Sequence, residues 1–360
     1  MLCSYVSIVL SAPLGLSIPS YKNIDDAYDQ FGPTPRICLQ LSSNPLDWEH
    51  YKDDVRYALT EVTLQKLQEL TKKSKDLNMD FVSHKLCLIR REDRDIVSSA
   101  FLVMPITDHI RSRLAIRMRN YDMDQLIETF ELFSSVASLR EMSGIIFENI
   151  CHQRFQKQIL LKYMLMVRLA RDDRSRQPRW YSSHRPIDQR DTKGQELESL
   201  RRDAFDRCET LDLSPSDTRE YDDLDFALES NVYYIPMKPN QVAVDSFICY
   251  GGYLYLFQFT VSEERKINDG LISQFATCRN LPPPRNWRYI FVIPDGVKTL
   301  VCPYPKSPGI QELRPCSSQV VVEDFAKPPE QKPPLSINGG GVWGEQHPRK
   351  RMKVTETPDG

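Results

Sequence analysis

No stretch of the chain approaches the ~20 consecutive apolar residues that a membrane-spanning helix needs, so no membrane partner is expected. Excess charge of one sign is also missing. With 47 Lys and Arg against 49 Asp and Glu, the net charge is near -2, which removes any general electrostatic argument for nucleic-acid binding and leaves only local basic surfaces. The cysteines (Cys3, Cys38, Cys87, Cys151, Cys208, Cys249, Cys278, Cys302 and Cys316) are odd in number and dispersed, never falling as C-x-x-C or beside paired histidines. That pattern speaks for reduced thiols and against structural zinc. The first residues hold no Lys or Arg before Lys22, so the charged region of a secretory signal is missing and an intracellular chain is expected. Neither G-x-x-x-x-G-K-[ST] nor G-x-S-x-G occurs, so no phosphate-binding loop for ATP hydrolysis and no serine-hydrolase elbow is expected.

What is present reads as a mixed α/β chain with more than one unit. Residues 1–35, with Pro13, Pro19, Pro33 and Pro35, read as an irregular leader or truncated remnant. Residues 36–120 read as a small mixed α/β unit. Within it, Val55, Leu59, Val62, Leu64, Leu67 and Leu70 have helical spacing, and FVSHKLCLIRR at 81–91 alternates as a strand does. A long apolar-periodic stretch from Met123 to Leu169 predicts two helices broken near Gly144. Residues 171–230 then carry 27 charged side chains in 60 positions, which predicts a solvated, mobile insertion in which His184 is exposed. VYYIPM, QVAVDSFICY, YLYLFQFTV and WRYIFVIP between 232 and 294 have strand composition, so residues 121–305 form an α/β domain around the insertion. Beyond it, residues 306–360 read as a mostly disordered, proline-rich tail.

Gly251 and Gly252 lie between two strong strands, the signal for a two-residue hairpin loop. Pairing Tyr250 with Tyr253 keeps the sum of partner numbers constant, so Asp245 falls opposite Gln258 and Ala243 opposite Thr260 on one face. An acidic residue beside an oxygen-bearing side chain is what Mg²⁺ asks of a protein, and Glu148 in the helix segment SGIIFENICHQRF is a further candidate carboxylate. His152, four residues on, is placed to meet Glu148. The aromatic residues Tyr253, Tyr255, Phe257 and Phe259 share one parity and read as the core side of a strand.

The order of helix Glu148, strand Asp245 and hairpin strand Gln258-Phe259-Thr260 resembles the PD-(D/E)xK nuclease superfamily. FGPTPRIC (31–38), IIFENICHQRF (145–155), RWYSSH (179–184), NVYYIPMKPNQVAVDSF (231–247) and LYLFQFT (254–260) are similar to fungal Crinkler and retrotransposon-hot-spot-type proteins. That resemblance implies a restriction-endonuclease-like mixed sheet flanked by helices. It implies Mg²⁺ or Mn²⁺ held by Asp245, Gln258 and Glu148, and a toxin- or effector-like role on DNA or RNA. It also marks a departure: the family's lysine position is Thr260, whose neutral hydroxyl cannot stabilise developing negative charge as an ammonium does. Lys266 and Lys238, both in expected loops, are the candidates for a migrated lysine. The alternatives are a catalytically inactive nuclease-fold module that binds nucleic acid, or a protein partner through the charged insertion, and a gene fragment without independent function. Near the end, Arg349, Lys350, Arg351 and Lys353 (cluster 349–353) form a basic run like a nuclear-localisation signal, so a nuclear address is expected, with the cytoplasm as the alternative.

Overall fold

A computed structural model describes residues 20–327, apart from short stretches of which the longest are 70–84, 92–100, 170–177, 185–207, 238–243 and 306–309. The described elements belong to one compact unit that ends at Lys327. The helices are α1 (Tyr21–Phe31), α2 (Pro45–Thr60), α3 (Asp108–Met118), α4 (Met123–Ser134), α5 (Arg140–Phe155) and the single turn α6 (Leu271–Gln274). The strands are β1 (Cys87–Arg91), β2 (Phe101–Pro105), β3 (Ile159–Leu165), β4 (Val167–Leu169), β5 (Arg179–Ser183), β6 (Glu209–Leu213), β7 (Asp217–Tyr221), β8 (Val232–Pro236), β9 (Ser246–Tyr250), β10 (Tyr253–Phe259), β11 (Trp287–Pro294), β12 (Thr299–Pro303) and β13 (Arg314–Val320). Eight strands form one mixed sheet in the order β6-β3-β13-β11-β10-β9-β8-β7, beside a three-stranded sheet β12-β5-β4 and the hairpin β1-β2.

Local chemistry explains the elements that position the site. The β9–β10 hairpin closes through Gly251 and Gly252 at φ of 60° and 79°, a left-handed pair that glycine adopts without steric cost. Its register pairs Tyr250 with Tyr253 and runs out to Ser246 opposite Phe257, as the sequence predicts. β10 and β13 flank β11 in parallel. All eight residues of β11 are buried, as a strand covered on both faces requires. The Thr107 hydroxyl accepts from the Ile110 N–H to cap α3, and also donates to the Gln30 carbonyl, tying α3 to α1. Asp122 and Gln125 form a reciprocal capping box that starts α4.

Strand parity divides the core in two. Tyr233, Ile248, Phe257, Phe259, Ile290, Val292 and Cys316 face a layer built by α1 to α5. Tyr234, Phe247, Leu254, Leu256, Trp287, Tyr289 and Phe291 face the other way, onto α6, Phe275 and the small sheet. Each fully buried apolar side chain contributes about 1.5–3 kcal/mol. α5 is the pivot of the first layer, with only a few of its positions open to water.

Six sequence expectations change. Tyr21–Phe31 is a helix with Ile24, Ala27 and Phe31 buried, not part of an irregular leader, because Ser20 accepts from the Asn23 N–H and starts it. No boundary falls at 120: Val103, Leu114 and Met118 lie in the same core as Phe147 and Ile150. The break between the two long helices is at Ser135–Leu139, while Gly144 sits inside α5, where an added Cβ would lie 3.6 Å from the Val261 Cγ2. Residues 159–169 are strands, since Ile159, Leu161 and Tyr163 are buried while Leu160 and Lys162 are exposed, a period of two. Finally, the charged stretch supplies β5, β6 and β7. Residues 314–320, expected in the disordered tail, form a strand between β3 and β11. Residues 185–207 of the charged stretch lie outside the described residues.

Candidate functional site

Asp245 lies where β9 gives way to the extra length of β10. Its N–H donates to the Phe257 carbonyl at 2.9 Å. Its Oδ2 accepts from the Phe259 N–H at 2.6 Å and from Gln258 Nε2 at 2.8 Å. The cross-strand pair of Asp245 and Gln258 that the hairpin arithmetic predicts is therefore formed. Gln258 is engaged at both ends, because its Oε1 accepts from the Tyr289 hydroxyl at 3.1 Å. Ala243, expected opposite Thr260, lies outside the described residues.

α5 brings Glu148 and His152 to the same region from the helical layer. Glu148 Oε1 lies 3.8 Å from His152 Nε2, a close charge contact rather than a hydrogen bond. The other ring nitrogen, Nδ1, is 3.0 Å from the Tyr233 hydroxyl, which donates to Ser246 Oγ at 2.8 Å. Ser246 follows Asp245 directly, so a chain of polar contacts runs from the helix carboxylate to the strand that carries Asp245. His152 and Tyr233 are buried, and the Phe259 ring stands edge-on to His152 at 5.1 Å.

Asp245 feels the charge on Glu148. Burial pushes Asp245 well above its usual range, and the charge on Glu148 pushes it further, against the pull of the Phe259 N–H, Arg265 and Arg111. Burial would raise Glu148 as well, but His152, Arg111 and Arg119 outweigh it and hold Glu148 below its usual value. The two shifts run in opposite directions, favouring the ionised form of Glu148 and the protonated form of Asp245. Arg111 and Arg119 come from α3 and the turn after it, with Arg111 3.8 Å from Glu141 and Arg119 2.5 Å from Glu220. Burial lowers His152, while Glu148 pulls the other way.

Thr260 is buried, and its Oγ1 accepts from the Ser262 N–H at 3.1 Å and from Arg265 Nε at 3.0 Å. The cation that reaches the threonine is therefore Arg265, one residue before the Lys266 considered from the sequence. Lys266 is exposed, and Lys238 lies outside the described residues. A turn folds Arg265 back: Ser262 Oγ donates to the Glu264 carbonyl at 3.0 Å, and the Arg265 N–H donates to the Val301 carbonyl at 3.0 Å. The sequence signal was the short spacing from Thr260 through Ser262-Glu263-Glu264 to Arg265, legible only once the β12 anchor is known.

His184 departs from expectation. It is partly buried rather than exposed, with Nε2 3.1 Å from Ser317 Oγ, and Ser182 Oγ lies 2.5 Å from that same hydroxyl. Burial pushes the His184 imidazole down to about 4. Phe257 and Phe259 are buried on the helical side, which leaves their rings to the core. The basic cluster of Arg349, Lys350, Arg351 and Lys353 lies outside the described residues. No described helix is long and apolar enough to cross a membrane. Comparison of the chain with protein-family models, with curated proteins and with solved structures finds no match.

Proposed function

We propose that the end of the β9–β10 hairpin is a nuclease-type site for a nucleic-acid phosphodiester, of the PD-(D/E)xK kind, with a restriction-endonuclease-like arrangement around it. The observation that carries this reading is that α5 and the β9–β10 hairpin bring Glu148 close enough to Asp245, distant in sequence, for its charge to raise the aspartate. Such a pair fits a divalent cation, which would replace the proton that Asp245 is driven to hold. Mg²⁺ and Mn²⁺ sites commonly take one or two protein carboxylates and fill the rest with water and phosphate oxygens. Asp245 and Glu148 would hold the ion, which when bound supplies Lewis acidity and acidifies water. Gln258, spent on Asp245 and Tyr289, orients the carboxylate rather than ligating. His152, with Arg111 and Arg119, keeps Glu148 ionised. Arg265, held on the Thr260 hydroxyl, offers its guanidinium to a phosphate oxygen where the family has lysine.

The test is cleavage of single- and double-stranded DNA and RNA by the full chain with Mg²⁺ or Mn²⁺. Asp245→Ala is expected to abolish it, and Arg265→Gln to lower it about 100-fold, the scale of one lost charge-stabilising donor. Because the ion must displace a proton from Asp245, Mn²⁺ uptake measured by titration should strengthen as pH rises, and Asp245→Asn should remove that dependence. No cleavage by folded wild-type protein would overturn the reading. A second reading, a module that binds nucleic acid without cutting it, is favoured by the 2.8 Å Gln258–Asp245 hydrogen bond, which satisfies the carboxylate without an ion. Retained Asp245-independent binding of the same nucleic acids without cleavage would select it. In either reading, the basic run Arg349 to Lys353 is proposed to direct the chain to the nucleus.

A further inference from the structure

The helical layer holds a cavity that the site above does not use. It has a volume of about 540 Å³ and opens between α1, α2 and α3, in the size range of small-molecule pockets. Its two long walls are single helix faces. Lys52, Val55, Arg56 and Leu59 come from α2 at helical spacing. His109, Arg113, Ile116 and Arg117 come from α3 in the same way. Arg111 and Arg113 are roughly 200° apart around α3, so the helix sends Arg111 toward the carboxylate site and Arg113 into the cavity.

The lining is one-signed. Four cations and a histidine face the space, and no carboxylate does. Two of the cations are partly answered from outside: Lys52 pairs with Glu49 at 3.0 Å and Arg56 with Asp53 at 2.7 Å, exposed pairs on one helix that are worth little in water. Arg117 donates to the Thr60 carbonyl at 3.0 Å and meets no carboxylate among the described residues. Arg113 has no hydrogen-bond or ion-pair partner among the described residues. In a chain of net charge -2, this is a local concentration of positive charge of the kind the sequence totals hide. The floor is apolar, with Val55 and Phe31 buried beneath the cations.

We propose that this cavity binds a phosphate-bearing ligand, with Arg113 and Arg117 as its principal partners, Lys52 and Arg56 at its rim, and the Val55–Leu59–Ile116 wall against the ligand's less polar part. The shared chemistry is the phosphate group, whether on a free phosphorylated molecule or in a nucleic-acid backbone. Guanidinium groups suit it because their fork matches phosphate oxygens in pairs. The proposal is independent of the metal site, so its test uses an Asp245→Ala background as well as the wild type. His109, whose imidazole is pushed down by burial and by Arg113, lies beside the cations in the lining.

The full chain would be titrated calorimetrically with inorganic tripolyphosphate and with a short single-stranded oligonucleotide, at low and moderate salt. Binding is expected to weaken about tenfold in Arg113→Gln, one lost charged donor, and further in Arg113→Gln/Arg117→Gln. It should also fall as salt rises. Arg113→Gln removes no hydrogen bond or ion pair among the described residues, so a matching thermal melt separates loss of the site from loss of structure. Tripolyphosphate binding with this dependence assigns the cavity to free phosphorylated ligands; oligonucleotide binding alone, with the same dependence, assigns it to a backbone. Binding of neither probe, or binding unchanged in the folded double variant, would overturn the proposal.

Discussion

The two faces of the eight-stranded sheet bury comparable sets of aromatic side chains, yet they are covered by different means. One carries five helices, with Phe155 packed edge-on against Tyr233, Phe257, Phe259 and Phe325. The other is closed by the single-turn α6, a short turn that presents Phe275 to Phe247 and Trp287, and a three-stranded sheet. Each face also carries a histidine. His184 meets serine hydroxyls, and nothing opposes the cost of charging it. His152 meets Glu148, which pulls back against the same burial. The comparison teaches that burial lowers both histidines and that a neighbouring carboxylate offsets part of that cost.

The largest expected effect tests the two coverings. Phe155→Ala should destabilise by about 4–5 kcal/mol, because rigid helix and sheet surround the cavity it leaves. Phe275→Ala should cost about 3 kcal/mol, since short turns can settle into the gap. Equal losses in urea unfolding would break the distinction between the faces.

The histidines come next. The folded-state value of His184, about 4, lies below the ordinary 6.5, so the unfolded chain takes up the proton first. Its contribution to stability is complete above 6.5 and is lost as pH falls toward 4. Thermal melts across that window should show a declining stability that His184→Gln flattens, and that His152→Gln flattens less. An equal response from both would show that Glu148 does not offset burial at His152.

The smallest expected effect is at Gly144. The position is helical, and an added methyl would make ordinary contact with Val261 at 3.6 Å. Gly144→Ala should therefore stabilise by about 0.5–1 kcal/mol through helix propensity. A loss of stability in calorimetric melts would mean that α5 and the Val261 segment are packed more tightly than the static contact shows.

The hairpin and the Asp245–Gln258 pair were legible because a two-glycine loop fixes register and register fixes partners. The pairing of Glu148 with His152 followed from helical spacing alone. What escaped was set by distant partners. Arg-Pro-Cys-Ser-Ser-Gln-Val at 314–320 lacks the β-branched composition of a strand, and becomes one because β3 and β11 leave a slot between them. Its Ser317 is buried against Ser182 and His184, a contact that no local pattern announces. Arg265 reaches Thr260 only because β12 anchors the intervening turn. The strand at 159–165 was readable in its alternation, but the helical period of the preceding segment masked it.

The place of β13 bears on how the chain is made. It enters between β3 and β11, although every other strand of the sheet precedes it in the chain. During synthesis, β11 with its apolar WRYIFVIP sequence must wait with one open edge until the ribosome has delivered residues 314–320. Unpaired edges of this kind recruit other chains. The protein is therefore expected to be adhesive at one stage of its birth, and the last strand of this sheet to be delivered is the one that ends it.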